Sequence, residues 1–146
     1  MVMVNISKQV LGEKELGKLF AQLNQTIGKL TPKQTGIFLE DFLGKEEQIM
    51  LAKRLAAILM LHHKQSLYAV AKTLKISSAA ADNFQRKLDT GVYDGMVATL
   101  KKNKSEYIEL LEAVDSILHL GGLLPHYGHT YTSESYRRSK KNLSVN

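Results

Sequence analysis

The feature that most narrows the fold of this chain is Ser66–Leu88, where two short helical patterns flank a tight turn and share one set of apolar positions. These are Leu67, Val70, Ala71, Leu74, Ile76, Ala81, Phe84 and Leu88. A helix-turn-helix needs two short helices crossing steeply, a small residue at the crossing and an apolar plug in the turn. Ala71 and Ile76 fill those last two roles. Ser66 and Ser77 are expected to N-cap the two helices, because a serine oxygen accepts an otherwise unpaired first-turn N–H. Lys75 stands where such turns usually carry Gly, so a positive φ is expected there at a cost of about 1 kcal/mol. A plain helical hairpin with the same caps is the competing reading; the long apolar helix just before Ser66 favours the helix-turn-helix.

The flanking segments are also helical in pattern. Leu11, Leu16, Leu19, Phe20, Leu23 and Ile27 predict an amphipathic helix over 12–29. Thr31-Pro32 with Gln34 reads as a capping box with proline at the first helical position, opening a helix to about Leu43 that carries Ile37, Phe38 and Phe42. After Gly44, a long helix is expected from Lys45 to His62. Glu46 and Glu47 favour its positive end, and Leu51, Leu55, Ile58 and Leu59 form its inner stripe, widened by Met50 and Leu61. Beyond the stop at Asp89-Thr90-Gly91, a short helix is expected from Val92 to about Lys101, with Val92, Met96, Val97 and Leu100 as its apolar residues. Asn103 and Glu106 then cap a last helix with the stripe Tyr107, Leu110, Leu111, Val114, Ile117 and Leu118, ended by Gly121-Gly122. No strand-like alternation competes. The expected class is all-α, a single helical domain over 10–120 followed by a basic tail, 121–146, whose lack of periodicity predicts disorder.

Charge is unevenly placed. The chain carries a net +6, but residues 64–104 hold eight Lys/Arg against three acids, whereas 105–120 hold four acids and no base. Positive charge centred on the helix-turn-helix and the tail is what a polyanion-binding surface requires. Other functions find no motif. The absence of Cys excludes disulfides, thiolate zinc sites and cysteine nucleophiles. His62-His63 and His126-x-x-His129 lack acidic or Cys partners at ligand spacing, so no metal is expected. Neither a phosphate-binding loop, a dinucleotide fingerprint, a Gly-x-Ser-x-Gly elbow nor a zincin motif is present, so neither an enzyme nor a cofactor is expected. The longest apolar run, Leu55–Leu61, is far short of the ~20 residues of a spanning helix. Lys8, Glu13, Lys14 and Glu15 break up any secretory signal. A cytoplasmic location without membrane contact is expected.

Several segments together resemble a known family. Phe38-Leu39-Glu40-Asp41-Phe42-Leu43 leads into Lys45-Glu46-Glu47, then Leu51-Ala52-Lys53-Arg54-Leu55, Ser66-Leu67-Tyr68, Val70-Ala71 and Leu74-Lys75-Ile76-Ser77. This order and spacing resemble the Trp repressor superfamily, in particular its uncharacterised Trp-repressor-like branch. The resemblance covers about residues 10–100 and extends more weakly to 120. It implies an intertwined homodimer built from the helices before Ser66 and from the last helix, with a helix-turn-helix presented on each subunit. It also raises a ligand question, because the family's corepressor ring lies between two arginines with a Gly beside the second. Arg54 matches the first of those positions, while Asn83 and Phe84 occupy the other two. An amide where a stacking cation is needed, and a phenyl ring where the indole needs room, predict that tryptophan does not bind.

Docked in the major groove, the second helix points its N-terminal residues at base edges. Ser78, Ala79, Ala80 and Asn83 are the candidate base readers. Asn83 can pair bidentately with an adenine edge, and the alanines can touch a thymine methyl. Lys64, Ser66, Lys72, Lys75, Ser77, Arg86 and Lys87 are the candidate phosphate contacts. Asp82 is awkward beside phosphate unless it turns to Arg86, four residues on. The expected function is a homodimeric regulator of transcription that binds double-stranded DNA with modest sequence preference. The alternative is a helix-turn-helix that docks another protein, which the alanine-rich reading helix favours and the positive charge does not.

Overall fold

The computed structural model describes residues 10–120, and the predicted tail 121–146 lies outside them. All the regular structure among the described residues is helical: α1 (Glu13–Gly28), α2 (Pro32–Phe42), α3 (Lys45–His62), α4 (Leu67–Leu74), α5 (Ser78–Asp89), α6 (Asp94–Lys101) and α7 (Lys104–Leu120). None is long and apolar enough to cross a membrane. The chain divides into two compact units between Leu51 and Ala52, inside α3.

In the first unit the local signals set the boundaries. The Thr31 hydroxyl accepts from Gln34 N at 3.2 Å, and the Gln34 side chain accepts from Thr31 N at 3.0 Å, completing the capping box. At the start of α3 the Glu47 carboxylate accepts from Gly44 N at 2.7 Å. The Gln48 amide reaches back to the Leu43 carbonyl at 3.1 Å, tying α3 to the end of α2. Phe38 and Phe42 stack with ring centroids 5.0 Å apart. Yet no residue between Val10 and Leu51 is buried. Phe20 and Phe42 are 56% and 58% exposed, and Leu19, Ile37, Ile49, Met50 and Leu51 are exposed as well. The stripe expected on α3 is corrected here: its N-terminal members Met50 and Leu51 face outward in this chain.

The second unit owns the core. Ala56 through Leu61 are all buried, so the C-terminal half of α3 is enclosed on every side. Around it gather Val70 and Leu74 of α4 and Tyr107, Leu111, Val114 and Leu118 of α7, with Ile76, Phe84, Leu88, Leu100 and Leu110 packed alongside. The last helix thus spends its apolar stripe inside its own chain, apart from Ile117, which is exposed. The resemblance implied an intersubunit role for that stripe; the sequence periodicity required only that something cover it. Val92, expected as the first apolar residue of α6, is exposed and precedes the helix. Gly91 sits at φ +81, and a Cβ there would lie 2.9 Å from an Asp94 carboxylate oxygen, so the turn into α6 requires glycine.

The residue just after α3 is also joined to α7 by a polar bond, His63 Nε2 to the Tyr107 hydroxyl at 3.0 Å. Burial, then His62 and Lys101, push the His63 pKa down to about 4, and burial raises that of Tyr107. The bond is therefore between a neutral imidazole and a neutral phenol. Since the unfolded His63 titrates near 6.5, it takes up protons at a higher pH than the folded one. Stability is thus full above about pH 6.5 and falls as the pH drops towards 4. In urea titrations between pH 7 and 4, His63→Gln is expected to flatten this acid-side loss; an unchanged profile would assign the loss elsewhere.

Candidate nucleic-acid interface

The two turns around α4 are built alike. Lys64 and Lys75 both take positive φ, 68° and 55°. In each turn the next residue donates back five positions, Gln65 N to Met60 O at 3.0 Å and Ile76 N to Ala71 O at 3.1 Å. In each, the following serine caps the next helix: Ser66 Oγ accepts from Ala69 N at 3.1 Å, and Ser77 Oγ from Ala80 N at 3.0 Å. These 6→1 bonds are the usual close of a helix whose end residue is left-handed. Lysine pays a backbone cost there that glycine avoids, and it does so twice, once at each end of α4.

α4 and α5 pack through fully buried Val70 and Ala81, with Leu74 also buried. Ala71, Ile76, Phe84 and Leu88 are half-buried, while Leu67, expected inside, is exposed. Phe84 leans on the core cluster, so its ring occupies apolar space rather than solvent.

Of the expected base readers, Ser78, Ala79 and Asn83 are exposed on α5 and Ala80 is half-buried. All seven expected phosphate contacts, Lys64, Ser66, Lys72, Lys75, Ser77, Arg86 and Lys87, are exposed. Arg86 has already turned: its Nε lies 3.1 Å from the Asp82 carboxylate. That pair is solvent-exposed and so worth little in stability, but it offsets one positive charge on α5. Arg54 is exposed too.

Two residues of this surface escaped the sequence reading. Lys53 donates its ammonium to the Lys75 carbonyl at 3.2 Å, linking α3 to the left-handed residue of the turn. No local pattern could have found it, because the partners are 22 residues apart. Tyr68 accepts from Lys72 Nζ at 3.0 Å; their spacing of four on α4 was a signal available to be read.

A cavity of about 380 Å³ runs along α6 and α7, lined by Thr99, Leu100, Asn103, Glu106, Tyr107 and Leu110, and so by no residue of α4 or α5. Among the described residues no group of three His, Cys, Asp or Glu gathers to hold a metal ion; His126 and His129 lie outside them. No family model, curated protein or solved structure matches this chain.

Proposed function

We propose that this chain is a Trp-repressor-like DNA-binding regulator of transcription that acts as a homodimer and does not use tryptophan. The observation that carries the DNA reading is the α4–turn–α5 unit. Its core is packed, its caps are formed, and the N-terminal face of α5 is left exposed between lysines at the turn and along α4. From Gln48 to Ala81 the sequence holds no acid at all, against Lys53, Arg54, Lys64, Lys72 and Lys75. A phosphate backbone approaching α4 and its turns meets no carboxylate from this stretch. With Asn83 as the main base reader and alanines beside it, shape and deformability of the duplex carry part of the preference. Phe84 packed on the core speaks against an indole site, and a head held by its own side chain needs no corepressor.

The test is a binding titration with random-sequence duplex DNA over a range of salt. Log affinity is expected to fall linearly with log salt. Lys75→Gly should weaken binding and flatten that slope. Because glycine relieves the left-handed strain, the same variant should hold its stability or gain up to about 1 kcal/mol. Absence of salt-dependent binding would favour the second reading, a protein-docking helix-turn-helix, which the alanines of α5 and the Asp82–Arg86 pair support.

A further inference from the structure

The outer surface of α4 carries a pair, Tyr68 and Lys72, of which only Lys72 is among the expected phosphate contacts. Tyr68 is 65% exposed, and the Lys72 ammonium both donates to its hydroxyl at 3.0 Å and lies 5.4 Å from the ring centroid. A lone exposed aromatic signifies little. A phenol clamped to a lysine differs. Since its oxygen accepts the ammonium proton, its own O–H is turned elsewhere and can donate a second bond. The hydroxyl and the ammonium therefore present two donors side by side, suited to two oxygens of one phosphate. They stand on the first helix of the helix-turn-helix, the one that crosses the sugar-phosphate backbone when the second lies in the groove.

We infer that Tyr68 is a backbone contact of the bound DNA. Its hydroxyl donates to a phosphate oxygen, and it positions the Lys72 ammonium on the same phosphate. The inference rests on the DNA reading above, and two neighbours add to it. Lys64 and Lys75, exposed at the two ends of α4, extend the positive charge on either side of Tyr68. No acid lies in α4 or in either of its turns.

The experiment compares the full chain with Tyr68→Phe, Lys72→Met and the double variant, by fluorescence anisotropy on a random-sequence duplex at several salt concentrations. Tyr68→Phe removes one hydroxyl and no charge. It should weaken binding about three- to tenfold at fixed salt, with the salt slope and the melting temperature unchanged. Lys72→Met should weaken binding and lower the slope by about 0.9, one phosphate's share. The double variant should lose less than the product of the two single losses, because both groups serve one phosphate. A Tyr68→Phe protein that binds like the parent, while Lys72→Met is impaired, overturns the role of Tyr68 and leaves the DNA reading standing. A parent chain that shows no salt-dependent binding overturns both.

Discussion

Leu19→Glu combined with Phe20→Glu is expected to convert a dimer into a monomer and to lower DNA affinity by roughly two orders of magnitude or more. Both side chains are more than half exposed within a single chain. Were that surface in water, the double substitution would change stability by no more than about 0.5 kcal/mol per site. The physical case for a partner is strong. α1 and α2 bury no residue of their own, and helices of 16 and 11 residues are marginal in water without tertiary support. In the proposed homodimer a second copy would supply that support. Sedimentation should give twice the 16.3 kDa chain mass for the parent and a single mass for the variant, with loss of the helical signal of α1 and α2. On the proposed function the DNA loss follows because each helix-turn-helix would then bind alone. A variant that stays dimeric would place the interface elsewhere; a parent that sediments as a monomer would remove the dimer from the proposal.

How much of this was legible in advance follows from how local each signal is. Caps act over three residues, so Thr31–Gln34, Ser66 and Ser77 could be read directly, and the helix boundaries with them. The left-handed φ of Lys75 followed from its place in the turn; that of Lys64 did not, because nothing in Lys64-Gln65 by itself announces a second turn of the same make. Periodicity says which face is apolar but not what covers it. Leu111 and Val114 are covered in one cluster with residues of α3 and α4 of the same chain, whereas Leu19 and Phe20 are left exposed by the described residues. The same ambiguity misplaced Met50 and Leu51, which continue the stripe of Leu55 and Ile58 in sequence yet are exposed. Lys53 was illegible for a different reason. Its contact depends on where α3 passes the turn, which only the packed structure decides.

The division of labour between the two units makes the second large effect a test of α7. Leu111→Ala is expected to destabilise the folded protein by about 2–5 kcal/mol, since the side chain is 1% exposed in the shared cluster and leaves a cavity that its neighbours fill only in part. That is a large share of the 5–15 kcal/mol typical of a whole domain. Because Leu111 is buried in a cluster formed within its own chain, the loss should not depend on protein concentration in urea titrations of the Leu19→Glu/Phe20→Glu background, expected to be monomeric. A contact made across a dimer would already be gone there, and Leu111→Ala would then cost almost nothing. Tyr107 lies on the same face and bonds His63, so removing α7 after Asn103 should uncover α3 on the side that Tyr107, Leu111, Val114 and Leu118 now close. The α4–turn–α5 unit shares that closure. Val70 and Leu74 of α4 sit in the same cluster as Leu111, so Leu111→Ala should loosen the α4–turn–α5 unit and, on the proposed function, weaken DNA binding without touching any residue proposed to face the duplex. Full DNA affinity at the temperature where the variant has lost its core would show that the unit folds independently of α7.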